Sequence, residues 1–427
     1  MKKRICALIL ALAMVLGLLA ACLEPAAVDQ PEPSFIETET WPDENLPAEN
    51  PPQPPTTGPA MSGEAEAAIL RFSQTLFREV LALEEENPVI SPLSAYYVLA
   101  MAALGAGGET LAEFSALLGR EPGELAADLN HLTRRLTDTA GSTILQIAGS
   151  VWTAEDFAVN PTFQQAMADY FDAQAQSRDF AAPETLEEIN AWVAQQTEGL
   201  IDQMLSDIGR DAVMLLINTL YLSAKWAEAF NPMTTHQGQF YPETGASYET
   251  TFLSTRPGTF PVAITEAYEA VMLPYDDGRL GFLLVRPTDG TPIRAFAAEH
   301  DLNEILAGLT ATPDVQIRMP MLDLEYAVQL NEILQAMGLQ AAFCDGADFS
   351  GISAEEEPLR ISTVLQKVRM LVDEEGTEAA AVTVIEIERA GILLNMIELT
   401  FNSPYLFAVY DLQAGIPLFL GLLDNPA

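Results

Sequence analysis

Histidine, cysteine and basic residues are all scarce in this 427-residue chain. It carries three histidines and three cysteines, and 20 Lys plus Arg against 61 Asp plus Glu. His131, His236 and His300 stand far apart, and neither HExxH nor CxxC occurs. Zinc chemistry and a disulfide framework are therefore poorly supported, and no cofactor or metal is expected. No G-x-S-x-G occurs either. A hydrolase needs a nucleophile, a base and an orienting group, so the chain is not expected to be an enzyme. The formal charge of −41 leaves no basic footprint for phosphates. That argues against nucleic acid or an anionic membrane surface as a partner of the folded body. No period of 20–50 residues repeats, which excludes solenoids and propellers. What is abundant is apolar surface: 49% of the residues are hydrophobic, enough for a sizeable core and too many for a disordered chain.

The N-terminus has the layout of an export signal. Lys2, Lys3 and Arg4 precede an apolar run from Ile5 to Ala21, and Leu19-Ala20-Ala21-Cys22 closes it. The run is slightly short for a membrane-spanning helix, which needs roughly 20 apolar residues. The closing four residues resemble the bacterial lipobox, which implies that the Cys22 thiol is acylated and becomes the mature N-terminus. Residues 23–61 hold ten prolines, including Pro51-Pro52-Gln53-Pro54-Pro55, and eight acids. Such a segment buries little and reads as an extended tether. The expected organisation is a signal over 1–22, a tether over 23–61 and a folded domain over 62–427. Membrane contact is expected only through the lipid, with the domain on the extracytoplasmic side. The remaining Cys344 is expected to be a small buried hydrophobe.

In the body, helices come first and strands later. Ala65–Leu83 spaces Ile69, Phe72, Leu76 and Val80 as one face of a helix. Ser91-Pro92-Leu93-Ser94 reads as a helix start, a capping serine with proline at the first helical position. Small residues continue that helix over Ala95–Gly105. Leu186–Leu205 is a further amphipathic helix. Val213–Leu222 is an almost unbroken apolar run, as in a buried central strand. Tyr268–Pro287 reads as two strands around Asp276-Asp277-Gly278. Val315–Met321, Val364–Val372, Glu398–Asn402 and Tyr405–Tyr410 add strands, and Gln413-Ala414-Gly415 turns a last hairpin. The order favours an α+β fold.

One segment departs from this pattern. From Thr377 the residues alternate: Thr377, Ala379, Ala381, Thr383, Ile385 and Ile387 share one face, and Glu378, Ala380, Val382, Val384, Glu386 and Glu388 the other. That is the period of a strand with one side to the core. An edge strand or a short alanine-rich helix is the plainer reading of the segment by itself.

Here the chain resembles the serpin family. Gly376-Thr377-Glu378-Ala379-Ala380-Ala381-Val382-Thr383 is similar to the reactive-loop hinge of inhibitory serpins. Further blocks agree in family order. They are Asn87–Ser94, Asn218–Trp226 with Phe230 and Thr235, Leu273-Pro274-Tyr275, Ala347–Ile352, Phe401–Tyr405 and Pro417–Gly421. The resemblance spans residues 64–426. It implies three β-sheets, about nine helices and an exposed reactive loop near the C-terminus. It also implies a shutter and breach that gate the main sheet, at Ser91, Ser94, Asn218, Trp226 and Gln366, and a hinge that starts beside Glu374. The implied activity is suicide inhibition of a serine protease in a covalent 1:1 complex, with this chain a monomer. The protease cleaves the loop, and the cut loop then inserts as a new strand and traps the acyl-enzyme.

The residues give this a physical basis. Side chains that enter a packed sheet first must be small, and Thr377, Ala379 and Ala381 are. No Lys or Pro interrupts the segment before Arg389. Fifteen residues from Gly376 to Ala390 would span about 50 Å as a strand. Three departures from the family pattern stand out, the mildest being Tyr405 where phenylalanine is usual. Gln366 occupies a position where the family often has histidine. Met321 follows Pro320 where a lysine commonly pairs with the glutamate before the hinge, so Glu374 needs another partner, with Arg318 and Arg369 as candidates. Counting from Gly376 places the scissile bond at Ala390–Gly391, which suits an elastase-like target. A slip of one residue gives Arg389–Ala390 and a trypsin-like target, and counting back from Phe401 gives Leu393–Leu394. The alternative function is a non-inhibitory serpin acting as a binding or structural surface protein.

Overall fold

The computed structural model describes residues 63–83, 87–138, 141–353, 359–377 and 396–425. All belong to one compact unit, 50–427; the other unit, 1–49, lies outside the described residues. Among the described residues there are nine α-helices. They are α1 (Gly63–Leu83), α2 (Pro92–Ala103), α3 (Gly108–Leu118), α4 (Pro122–Thr137), α5 (Pro161–Phe171), α6 (Pro183–Gln196), α7 (Ile293–Glu299), α8 (Leu302–Ala307) and α9 (Asn331–Ala336). The strands are β1 (Val89–Ile90), β2 (Ile144–Ala154), β3 (Gln174–Arg178), β4 (Met214–Lys225), β5 (His236–Phe240), β6 (Tyr248–Ser254), β7 (Gly258–Ile264) and β8 (Tyr268–Pro274). They continue with β9 (Leu280–Pro287), β10 (Thr310–Pro320), β11 (Leu322–Gln329), β12 (Thr363–Val372), β13 (Gly376–Thr377), β14 (Ile397–Thr400), β15 (Tyr405–Asp411) and β16 (Ile416–Leu423). The α+β class and the helix count agree with expectation.

Six strands form the main sheet in the order β11-β12-β13-β4-β2-β3. Ten others are linked as β1-β16-β15-β9-β8-β7-β10-β6-β5, with β14 on β10. The second and third expected sheets are thus joined by one strand. β10 pairs with β7 through Thr310–Thr312 and with β6 through Arg318–Pro320, and its register shifts between Thr312 and Val315. Asp314 absorbs that bend at φ 57°, a left-handed conformation that aspartate tolerates better than most residues.

Helix α2 explains its own composition. Ser91 Oγ accepts the Ser94 N–H, Pro92 opens the helix, and all twelve helical residues are buried. A helix buried on every side needs an apolar surface all round, hence the small and apolar run. It packs so closely on β2 that a Cβ on Gly149 would stand 2.6 Å from Met101 Sδ. β2 itself has Gly149, Ser150 and Thr153 among its buried positions, and its alternation is too weak to read as a strand. Helix α6 stops at Gln196 rather than Leu205. Glu198 and Gly199 both adopt positive φ, and the Thr197 hydroxyl takes over the Ile201 N–H. Cys344 is exposed, contrary to expectation, with Sγ directed to Gln340 O. It follows a short 3-10 turn, Ala341–Phe343, that buries Ala342 instead.

Two apolar clusters hold these layers. The larger joins α1–α5 to both sheets. The smaller lies between α6 and the outer face of the main sheet, with Ile189 and Val193 against Leu215, Ile217 and Trp152.

Candidate functional site

The site lies in the middle of the main sheet. Strands β4 and β12 run parallel and pair directly at Thr363↔Leu215, Val364↔Leu216 and Leu365↔Ile217. Towards their other ends they are separated by β13. Gly376 pairs with Lys225, and Thr377 pairs with both Ala224 and Val372, antiparallel on each side. Thr377 shares the buried face of its two neighbours and is 3% exposed. Between these two regions, no ladder pair joins Asn218–Ser223 to Gln366–Leu371 among the described residues.

A tight turn brings the chain to β13. Asp373 Oδ1 accepts the N–H groups of Glu375 (2.8 Å) and Gly376 (3.1 Å). Strand β4 supports this turn from beyond its last residue. Trp226 N–H donates to Glu375 O at 2.9 Å, and its indole N–H donates to Asp373 O at 3.0 Å. The indole stacks on Tyr275 at 4.8 Å and 8°. The Tyr275 hydroxyl reaches Thr377 Oγ1 at 2.6 Å in the buried interior. Burial raises the Asp373 pKa, and the charges of Glu374 and Glu375 push it the same way, against the two N–H donors.

Glu374 has neither expected partner. Its Oε1 accepts the Thr235 hydroxyl at 2.7 Å, and its carbonyl accepts Phe230 N–H. Arg318 is paired with Glu398, and Arg369 with Asp323 and Glu325. The two arginines lie on strands whose own acidic neighbours are nearer. Lys225 stands 3.9 Å from Glu375.

Below the unpaired window lies the second group. The Gln366 amide grips Ser91: Oε1 accepts its N–H at 3.0 Å and Nε2 donates to its carbonyl at 2.8 Å. Asn218 is 3% exposed, and neither of its side-chain polar atoms has a hydrogen-bond partner among the described residues. Ser94 Oγ is in the same condition. Ser91, Ser94 and Gln366 thus form one hydrogen-bonded buried group, Asn218 is buried on β4 one residue past the Ile217↔Leu365 pair, and Trp226 belongs to the hinge turn. Glu378, Ala379, Ala380, Ala381, Thr383, Arg389, Ala390 and Gly391 lie outside the described residues, as do Leu393, Leu394 and Cys22. Sequence reasoning missed Thr235, Tyr275 and Asp373 as hinge supports. Tyr275 and Thr235 sit inside blocks that resemble the family, but their contacts join residues 102 and 139 positions apart.

The family model for serpins, described as "serine protease inhibitor", matches residues 67–426. The chain belongs to the serpin family. It is similar in structure to the thermophilic serpin tengpin in its native state, with a TM-score of 0.81 and 30% identity, covering 87% of this chain and 97% of tengpin. It is 28% identical to Ipis-1 of Ixodes persulcatus, over 83% of this chain and 97% of the relative. Human neuroserpin is 27% identical over 84% and 92%. Serpins are generally protease inhibitors rather than enzymes.

Proposed function

We propose that this serpin is a lipid-anchored suicide inhibitor of serine proteases that works by adding its cleaved loop to the main sheet. The protease serine attacks a loop carbonyl and forms an ester, and the new amino terminus leaves. The loop then enters between β4 and β12 before water can cleave the ester. Strand addition of this kind is a general mode of recognition.

The observation that carries this reading is the register of β13. Continued from Thr377↔Ala224 and Thr377↔Val372, it sets Glu378–Thr383 against Ser223–Asn218 on one side and Leu371–Gln366 on the other. Those positions pair outward with β2 and β11 but have no ladder partner on their facing sides among the described residues. On the buried face this register delivers Ala379, Ala381 and Thr383, and the Thr383 hydroxyl arrives between Asn218 and Gln366. A buried amide without a partner is costly, so a hydroxyl reaching it adds to the driving force. Beyond Thr383 the strand must part the three direct β4–β12 pairs and pass beneath α6. Each ladder bond gained is worth a net ~1 kcal/mol, so the uncut form is metastable and held by a barrier.

The lipobox supports anchoring through Cys22, with residues 23–61 as tether, residues 62–427 as a monomeric domain and an extracytoplasmic location. The small Ala390 favours an elastase-like partner. The test is incubation with a panel of serine proteases, followed by denaturing gels and melting curves. A complex that survives SDS is expected, with Thr377→Arg cut but forming none, because a charged side chain cannot hold the buried place from which the added strand starts. Cleavage without complex, and without a rise in melting temperature, would leave the non-inhibitory alternative.

A further inference from the structure

We propose that the Tyr275 phenol is a latch that holds the hinge docked in the sheet of the uncut protein and so sets how often a cleaved loop goes on to insert. This rests on the inhibitory reading above. Tyr275 closes strand β8 at the tip of the β8–β9 hairpin and is 0% exposed. Its ring cannot turn away, because it stacks on Trp226, which in turn meets Phe230 and Phe282 edge to face. Its backbone is fixed as well: Tyr275 N–H donates to Leu280 O at 3.1 Å. The phenol therefore points at one place, Thr377 Oγ1 at 2.6 Å. Burial raises its pKa, so it is a neutral hydroxyl throughout the working range.

The asymmetry of a buried hydrogen bond makes this a latch rather than one contact among many. While Thr377 is docked, both hydroxyls are satisfied. If the hinge is drawn out, Thr377 finds water but Tyr275 does not, and an orphaned buried hydroxyl is far more costly than the bond is favourable. The cost falls on withdrawal of the hinge. The docked pair Gly376–Thr377 is also the first rung of the strand to be added, so the latch keeps a nucleus in place while the protease works on the loop. Tyr275 is a positioning residue, acting through Thr377 and not on the protease. It also gives a reason for threonine at this position: a residue without a hydroxyl would leave the phenol orphaned whether the hinge were in or out.

The decisive variant is Tyr275→Phe, which keeps the stack and removes the latch. In the uncut protein, amide exchange at Gly376 and Thr377 should quicken at least about fivefold, the factor a net hydrogen bond alone is worth. With a protease that wild type traps, the ratio of cleaved inhibitor to SDS-stable complex should rise by about the same factor. Thr377→Val should do likewise, and Thr377→Ser should restore wild-type values. The double variant Tyr275→Phe with Thr377→Val should be no worse than either alone, since both delete one bond. Wild-type exchange and wild-type partition in Tyr275→Phe would overturn the latch. So would a lower melting temperature with neither readout changed, which is the mark of simple packing loss. If wild type yields no SDS-stable complex with any protease, the inhibitory reading falls, and the exchange measurement still decides whether the phenol holds the hinge.

Discussion

Gly376 lies against the backbone of Ala224 so closely that a Cβ built on it would stand 2.0 Å from Ala224 O and 2.8 Å from Lys225 Cα. The obstacle is main chain of a central strand, so neither side can give. Glycine here answers to lack of space between β4 and the hinge.

Gly376→Ala should therefore expel β13 from its place. The intact protein should lose about 1–3 kcal/mol, the usual cost of overpacking, and exchange at Thr377 should quicken. Unchanged melting together with unchanged exchange would show that the hinge is not docked in solution.

Gln366→Ala removes the acceptor of the buried Ser91 N–H, leaving it unpaired, while the Ser91 carbonyl keeps the Ala95 N–H. A cost of about 1–3 kcal/mol follows for such a group, with faster spontaneous loss of inhibitory activity on warm storage. Gln366→His should recover part of this, since a neutral imidazole has one donor and one acceptor. A storage half-life in Gln366→Ala equal to wild type would remove the gating role.

The Asp373 turn should respond to pH in a stated direction. Its folded pKa is raised above the ordinary 3.8, first by burial and then by Glu374 and Glu375, while Lys225 faces the Glu375 carboxylate. A raised carboxyl stabilises the fold when protonated, and that contribution is lost as pH rises through the folded value. Corrected for intrinsic rates, exchange at Gly376 should thus be slower at the acid end of the carboxylate range than at neutral pH. Asp373→Asn should flatten the profile; a slope that persists in it assigns the effect to another group.

The scissile bond is read from the C-terminal peptide released on complex formation. A peptide beginning at Gly391 is expected. One beginning at Ala390 moves the target to trypsin-like enzymes, whose pocket aspartate would pair with Arg389. One beginning at Leu394 refutes the count from Gly376.

Anchoring is tested by Cys22→Ser, which should shift the protein out of the membrane fraction or leave its signal uncut. Several acyl chains hold firmly, at about 0.8 kcal/mol per buried CH₂. An unmodified mature N-terminus in wild type would end this reading.

Local features were the legible ones. Ser91 and Pro92 announce α2 because cap and first turn are neighbours in sequence. The β8–β9 hairpin is legible because Gly278, at φ 66°, supplies the backbone that its turn needs. Strand β4 shows as an apolar run since both its faces are covered. The strand period from Thr377 appears in the structure only as Gly376–Thr377, the rest lying outside the described residues. What could not be read were pairings across long separations. Thr235 displaced the expected arginines at Glu374 because hydrogen-bond partners are chosen by register between distant strands. Cys344 was misjudged since residue type alone does not say which side of a short turn is buried.

Strand β1 has a consequence for timing. Its two residues pair with Leu420 and Gly421 of β16, and the Asn87 side chain just ahead of it receives the N–H groups of Asp424 and Asn425. These partners stand up to 338 positions apart. Strand β16 lies between β1 and β15 and pairs with both. A segment made early must therefore wait, unpaired, until one made late is delivered. Contacts so distant slow folding, and a sheet that needs both segments cannot be completed before β16 has been made. If the chain is exported as proposed, it should cross the membrane unfolded, because β1 has no partner until β16 arrives.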